Sequence, residues 1–313
     1  MTRSKDVVLV TGVDLAPQAV ALLQDFEVVY AGKAPNEDDL VHLCKVHQPV
    51  AIIVRYGRIT RRVMEASHAL RVVSKHGTGI DTIDVRAAEE KGIVVKAAAG
   101  ANAAAVAEHT WALIFACAKD ITGLDQRMRQ GHWDKATHKS LELKGRTLGL
   151  VGVGAIGARV AETARALGMH IIAYDPYAAQ VPPSIGMADL DTVIRESDVL
   201  SLHCPLTDEN RHMINVETLA RIKDGAILVN TARGGLVDEE ALAAALASGK
   251  LRAAGLDSFE KEPLTLRHRF QEIPNVVLTP HIGGVTSDAY VAMGTSAATN
   301  VLAVLQNEPA AVR

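Results

Sequence analysis

The sequence predicts an α/β fold of two domains, each built on a parallel sheet, and three observations carry that expectation. Short β-branched runs alternate with longer Ala/Leu/Glu stretches along the chain, the pattern of repeated βαβ units. With 313 residues the chain can fill two ordinary cores. The second set of strand candidates opens with a glycine-rich turn and the first does not, so the two domains share a style and differ in duty.

In the first part the strand candidates are "DVVLVTG", "EVVYAG", "VAIIVRYG", "LRVVSKHG" and "GIVVKA". In the second they are "TLGLVGVG", "HIIAYDP", "DVLSLHCP", "AILVNTARG", "AAGLDSF" and "NVVLTPH". Between the two sets, "AAAGANAAAVAEHTWALIFACA" reads as a helix from about Asn102, a good N-cap residue, and it is apolar almost all round. Such a helix has to be covered on every side, by burial between domains or against a second subunit. The Ala-rich tail from about Ser287 to Leu305 also reads as helix, and the chain's end soon after predicts no third, regulatory domain.

Composition narrows the function classes. Apolar residues at 48% and charged residues at 22% describe an ordinary soluble protein. A net charge of −3 without a basic block gives no reason to expect nucleic acid or an anionic membrane as partner. The N-terminus lacks the apolar core of a signal peptide, and no run approaches the roughly 18 apolar residues that span a bilayer. Cys44, Cys117 and Cys204 lie far apart with no C-x-x-C pair, and no two histidines have zinc spacing on one helix face. This argues against disulfides or a metal and for a reducing compartment, by default the cytoplasm.

"LVGVGAIG" sets Gly152, Gly154 and Gly157 in G-x-G-x-x-G spacing, directly after an apolar strand and before the helical "ARVAETARAL". Gly152 permits the tight turn, Gly154 lets backbone approach a pyrophosphate, and Gly157 lets the helix pack against the strand. The helix N-terminus then presents unpaired N–H groups to the phosphates. The next strand ends at Asp175, 18 residues after Gly157, where a carboxylate accepts hydrogen bonds from ribose hydroxyls and repels a 2′-phosphate. The cofactor expected is NAD, not NADP.

In open parallel sheets, ligands bind beyond the carboxyl ends of the strands. The polar residues closing the later strands are Asp175, His203 and Cys204, Arg233, Asp257 and His281. An arginine running out of a buried strand must be paired or face a ligand, and its fork of donors suits a carboxylate or a polarised carbonyl. A carboxylate beside the imidazole would raise its pKa and fix its tautomer. "LDSFEKEP" offers Asp257, Glu260 and Glu262 for that place, and spacing does not choose between the two glutamates. Arginine, carboxylate and histidine together can polarise a carbonyl and hand it a proton.

The stretches "HGTGIDTID", "AEHT", "ELKGRTLGLVGVGAIG", "YDPY", "LHCPLT", "NTARGGLVDEEAL", "GLDSFEKEP" and "LTPHIGG" follow one another in the order found in a known family. On them the chain resembles the D-isomer-specific 2-hydroxyacid dehydrogenases, in particular the phosphoglycerate dehydrogenase and hydroxypyruvate reductase branch. The resemblance implies Arg233 as the substrate-orienting residue, Glu262 as the partner of the histidine, and His281 as proton donor or acceptor. It implies that main-chain groups at His76, Gly77 and Thr78 hold the substrate carboxylate. It places cofactor contacts at Thr78, Gly152, Gly154, Ala155, Ile156, Gly157, Asp175, Cys204, Thr231, Ala232, Asp257 and Gly283, with Asp257 facing the nicotinamide carboxamide.

The resemblance further implies a discontinuous substrate domain, residues 1–99 and 284–313, and an NAD-binding Rossmann domain at 100–283. It implies a homodimer formed through about 100–145. Thr82 stands where relatives often carry Asn, and Lys75-His76 where Arg-Ala is common, departures that touch the substrate side. Glu262 argues against a formate-type oxidant, whose relatives carry Gln there. The function expected is hydride transfer between nicotinamide and C2 of a small 2-hydroxy or 2-oxo acid. An NAD(H)-sensing protein of the corepressor type, on the same scaffold, is the rival reading. Arg55 and Lys75, at the ends of adjacent strand candidates, lead us to expect a substrate with a second anionic group, such as phosphoglycerate; a neutral tail would leave both cations unpaired.

Overall fold

A computed structural model describes residues 5–265 and 267–306. It contains two compact units, Met1–Asn102 with Val285–Arg313, and Ala103–Gly284. Of the expected domain ranges, residues 1–4, 266 and 307–313 lie outside the described residues.

The first unit runs β1 (Val7–Val10), α1 (Pro17–Leu22), β2 (Glu27–Tyr30), α2 (Glu37–His47), β3 (Ala51–Val54), α3 (Arg61–Glu65), β4 (Val72–Lys75), α4 (Val85–Glu90) and β5 (Val94–Ala97). All five strands are parallel, in the order β2-β1-β3-β4-β5, the flavodoxin-like arrangement. Alternation along each strand splits its side chains between two cores. Val8, Val10, Ala51 and Ile53 pack with Ala16, Ala19 and Leu23 on one face. Leu9, Ile52 and Val54 pack with Leu40, Val63 and Met64 on the other. The α2 helix begins at a capping box in which Asn36 and Asp39 each accept the other's backbone N–H.

The second unit begins with α5 (Ala103–Lys119) and α6 (Ile121–Arg129). It continues through β6 (Thr147–Val151), α7 (Ala155–Ala166), β7 (His170–Tyr174), β8 (Gly186–Met187), α8 (Leu190–Glu196), β9 (Val199–Leu202), α9 (Val216–Arg221), β10 (Ala226–Asn230), α10 (Glu239–Ala247), β11 (Leu251–Leu256) and β12 (Val276–Leu278). The seven parallel strands lie in the order β12-β11-β10-β9-β6-β7-β8. This is the doubly wound dinucleotide-binding order with one further strand, and its direction reverses between β6 and β9. The last helix among the described residues, α11 (Ser287–Gln306), returns to the first unit, where Ala297, Ala298 and Val301 complete the core against β1, β3 and β4.

Two expectations need correction. The two-residue strand β8 was not anticipated, because Gly186-Met187 has no apolar run to mark it. The apolar helix α5 needs neither a domain boundary nor a second subunit to cover most of it. Trp111, Leu113, Ile114, Cys117 and Ala118 pack into the core formed by α7 and the near face of the second unit's own sheet, while Ala104, Glu108 and Ala112 form an exposed stripe. Asn102 lies just outside α5, with its Oδ1 accepting the Thr78 hydroxyl at 2.9 Å.

Candidate active site

The glycine turn sits at the reversal of the second sheet, where the end of β6 meets the end of β9. Gly152 has φ +99°, and a Cβ there would come within 2.8 Å of the His203 carbonyl group. A Cβ on Gly157 would lie 2.2 Å from the Gly152 carbonyl oxygen, so α7 can pack onto the turn only as glycine. Gly154 is different: it is exposed, and a Cβ there would meet no protein atom within 4 Å. Nothing among the described residues demands glycine at 154, whereas close approach of a pyrophosphate to the backbone does. Ala155 and Ile156 follow as the first two residues of the twelve-residue helix α7. Asp175 closes β7 beside this turn, its Oδ2 accepting the Val153 N–H at 2.8 Å and its Oδ1 the Tyr177 N–H at 2.9 Å. The residues present fit a dinucleotide.

Cys204 and His203 follow β9. Burial pushes the Cys204 thiol up to about 11, which leaves it protonated and without thiolate chemistry near neutral pH. Burial also holds His203 down at about 4, and its Nε2 pairs with the Ser201 hydroxyl at 2.9 Å. His203 is therefore a neutral, half-buried residue.

At the end of β10, Asn230 shapes the turn that carries Arg233. Its Oδ1 accepts the Ala232 N–H at 3.0 Å and its Nδ2 donates to the Arg233 carbonyl at 2.9 Å. The Thr231 hydroxyl meets that of Thr110 on α5 at 2.9 Å. Arg233 is half-buried, and its Nη1 donates to the Ala232 carbonyl at 2.8 Å. A Cβ on Gly234 would overlap the Phe259 carbonyl carbon at 1.8 Å, so this turn lies directly on the loop that leads to Glu262.

That loop settles which acid is the histidine's partner within this unit. Glu262 Oε1 accepts the Phe259 N–H at 3.0 Å, and Oε2 meets His281 Nδ1 at 2.8 Å. Glu260 turns away to His212, 2.8 Å from its Nε2. The hydrogen bond to Glu262 raises the His281 pKa above its ordinary value, against burial and the field of Arg233, which lower it. Burial works to raise the Glu262 pKa, but the His281 and Phe259 hydrogen bonds and the Arg233 charge outweigh it and hold the carboxyl below its ordinary range. The pair is therefore carboxylate and imidazolium over a widened pH range. Arg233 acts electrostatically on both partners, so the three groups form one cluster.

Asp257 does something the sequence did not announce. It is 2% exposed, and both oxygens are engaged within the chain. Oδ1 accepts the Thr279 hydroxyl at 2.6 Å and the Ile282 N–H at 2.9 Å; Oδ2 accepts the Gly283 N–H at 2.7 Å. His109 on α5 completes the arrangement, its Nε2 lying 2.9 Å from the Thr279 hydroxyl and 3.4 Å from Asp257 Oδ1. A Cβ on Gly283 would stand 2.9 Å from Asp257 Oδ2, which explains glycine there. Asp257 thus clamps the segment that carries His281, itself in the left-handed region at φ +54°. His109 belongs to this clamp, and its "AEHT" context gives no hint of a partner 170 residues away.

The remaining expected residues, Arg55, Lys75, His76, Gly77 and Thr78, belong to the first unit. Gly77 has φ +144° and Thr78 is exposed. His76 is buried, meets the Tyr290 ring of α11 in a tilted contact at 5.6 Å, and is held down at about 4 by burial and by the charge of Arg55. The expectation that a neutral-tailed substrate would leave Arg55 unpaired needs correction. Its Nη1 donates to the Asp14 carbonyl at 2.7 Å and also pairs with the Asp14 carboxylate. Lys75 Nζ donates to the Arg55 carbonyl at 3.4 Å. A neutral-tailed acid therefore strands no bare guanidinium. The neighbouring Arg61 and Arg62 pair with Glu90 and Asp38 at the surface.

A doubly wound sheet with a glycine turn at its reversal, a carboxylate after the second strand and a coupled Arg–Glu–His cluster define an NAD-dependent oxidoreductase. Residues 111–283 match the family model described as the NAD binding domain of D-isomer specific 2-hydroxyacid dehydrogenases. The chain is 44% identical over 284 residues to a hydroxypyruvate reductase of Thermotoga maritima, a match covering 90% of this chain and 92% of that one. It is 40% identical over 299 residues to a D-3-phosphoglycerate dehydrogenase of Methanocaldococcus jannaschii, covering 94% of this chain. The match spans 56% of that relative, so the chain corresponds to about half the length of the phosphoglycerate dehydrogenases it resembles. Among solved structures, the D-lactate dehydrogenase of Aquifex aeolicus complexed with NAD and lactic acid superposes with a TM-score of 0.85 at 29% identity, covering 96% of each chain. This chain belongs to the D-isomer specific 2-hydroxyacid dehydrogenase family.

Proposed function

We propose that the chain reduces a short 2-oxo acid with an uncharged polar tail, of which hydroxypyruvate is the model, and that Arg233, Glu262 and His281 carry the chemistry. The observation that carries this reading is the Glu262–His281 pair at 2.8 Å, with Arg233 acting on both members. NAD, when bound, supplies or accepts the hydride at C2 of the substrate. His281 holds a proton on an imidazolium whose Nδ1 is committed to Glu262, so Nε2 is the atom that delivers the proton to the carbonyl oxygen. Glu262 fixes that tautomer and keeps the ring charged. Arg233 orients the carboxylate and carbonyl of the reacting end through its fork of donors. In the oxidative direction the neutral ring takes the hydroxyl proton as hydride leaves C2.

On the same reading, the unit Met1–Asn102 with Val285–Arg313 binds the substrate, and the turn His76–Thr78 holds its carboxylate through main-chain groups. Asp175 meets the adenosine ribose and disfavours a 2′-phosphate; Thr78, Cys204, Thr231 and Ala232 contact the cofactor. Asp257 and Gly283 serve the site by positioning the His281 segment. A charged proton-transfer pair favours catalysis over NAD(H) sensing, which has no use for it.

The chain acts in the cytoplasm as a homodimer formed through about 100–145. Exposed Ile121, Met128 and Trp133 and a helix α6 with no buried residue support a covered surface there. Sedimentation of the protein at micromolar concentration checks the dimer. The activity is tested by following NADH absorbance with hydroxypyruvate, glyoxylate, pyruvate and phosphohydroxypyruvate. Hydroxypyruvate is expected to give the highest catalytic efficiency, and failure to oxidise NADH with any of the four would overturn the reading.

A further inference from the structure

The cation that the sequence offered to a second substrate anion is already matched by an acid of this chain. Arg55 leaves β3 with its stem against Gly12, where a Cβ would stand 3.1 Å from Arg55 Cδ. Its guanidinium lies over two aromatic rings, 5.4 Å from the centre of Tyr56 and 5.1 Å from that of Tyr290. It is tied to Asp14 through both the carbonyl and the carboxylate of that residue. The Arg55 side chain is only 13% exposed, whereas that of Asp14 is 60% exposed, so solvent meets the carboxylate before the guanidinium. Arg55 and Tyr290 hydrogen-bond the Asp14 carboxylate and, against its desolvation, hold its pKa below the ordinary value, so it stays charged near neutral pH. His76, which opens the turn assigned to the substrate carboxylate, packs on the same Tyr290 ring. The Asp14–Arg55 pair is therefore joined to that turn through one side chain.

We propose that Asp14 is a specificity-determining residue: by holding Arg55 it withholds that cation from the substrate's tail and selects tails carrying a neutral hydroxyl over phosphorylated ones. The proposal rests on the reading that the His76–Thr78 turn seats the acid. A phosphate monoester brings up to two negative charges toward an exposed carboxylate whose cation is already engaged. A hydroxyl instead can donate a hydrogen bond to that carboxylate.

The experiment compares wild type with Asp14→Asn and Asp14→Ala, using NADH with hydroxypyruvate and phosphohydroxypyruvate, and in parallel titrates 3-phosphoglycerate and D-glycerate by calorimetry. Both variants are expected to raise the ratio of kcat/KM for the phosphorylated over the unphosphorylated acid by about tenfold or more, mainly through KM, as one charge is removed near a partly solvated phosphate. The calorimetric preference is expected to move the same way. A ratio unchanged in both variants, or a wild type that already favours the phosphorylated acid, overturns the proposal. If no 2-oxo acid is turned over at all, the functional reading fails. Calorimetry then decides this proposal alone: a gain in 3-phosphoglycerate affinity over glycerate in Asp14→Asn supports it, and no gain overturns it.

Discussion

Replacing Asp257 by Asn keeps the shape of the side chain and removes its charge and one acceptor oxygen. Three donors converge on the two oxygens, the Thr279 hydroxyl at 2.6 Å and the N–H groups of Ile282 at 2.9 Å and Gly283 at 2.7 Å. An amide turned either way sets its NH2 against at least one of these donors. At 2% exposure, water does not readily replace the lost partner. One buried donor left unpaired costs about 1–3 kcal/mol. For a unit of this size, each kcal/mol lowers the melting temperature by about 2–4 °C. Asp257→Asn should therefore melt several degrees below wild type by calorimetry. Because the released segment carries His281, kcat should also fall by about 10–100-fold, the scale expected when a catalytic group is misplaced by about 1 Å. The KM for NADH should change little. An unaltered melting temperature with a strongly raised KM for NADH would refute the clamp and return Asp257 to the role of a direct cofactor contact.

Three further perturbations probe the cofactor and substrate groups. Gly157→Ala sets a Cβ 2.2 Å from the Gly152 carbonyl oxygen, so α7 must move off the glycine turn; NADH affinity by fluorescence titration should fall at least about tenfold, since the helix N-terminus is proposed to hold the pyrophosphate. Asp175→Ala removes the carboxylate expected to repel a 2′-phosphate and also the acceptor for the Val153 and Tyr177 N–H groups. Efficiency with NADH should drop and the NADH over NADPH preference narrow, and a preference left intact would count against the ribose assignment. Arg233→Lys keeps the charge and loses the planar fork; kcat/KM for hydroxypyruvate should fall by about 100-fold or more, whereas near-normal activity would show that charge alone suffices.

What could be read from the sequence was what local patterns encode. Eleven strands announce themselves as short apolar runs closed by turn residues, and the glycine turn is legible because strand, spacing and helix coincide. The two-residue β8 has no such run. Pairings made across the fold were the least legible. Asp14 meets Arg55 across 41 positions and His109 meets Thr279 across 170, separations at which no periodicity relates one residue to the other. For the same reason the three donors that Asp257 gathers within the chain were not legible from its place at a strand end. The choice between Glu260 and Glu262 depended on the path of the loop after Phe259, which sends the first to His212 and the second to His281.

The claim at the centre of this account is that Glu262 keeps His281 protonated for the reductive step. It is tested most directly by the pH dependence of kcat/KM for hydroxypyruvate reduction in wild type and Glu262→Gln. His281 has a raised pKa, so reduction should persist to higher pH than an ordinary imidazole would allow and fall as pH rises through the raised value. Without the carboxylate the ring loses its largest stabilising partner, and the alkaline limb should move to lower pH, with the acid limb of glycerate oxidation moving the same way. Both limbs left in place, in a variant that still folds and binds NADH, would contradict the account.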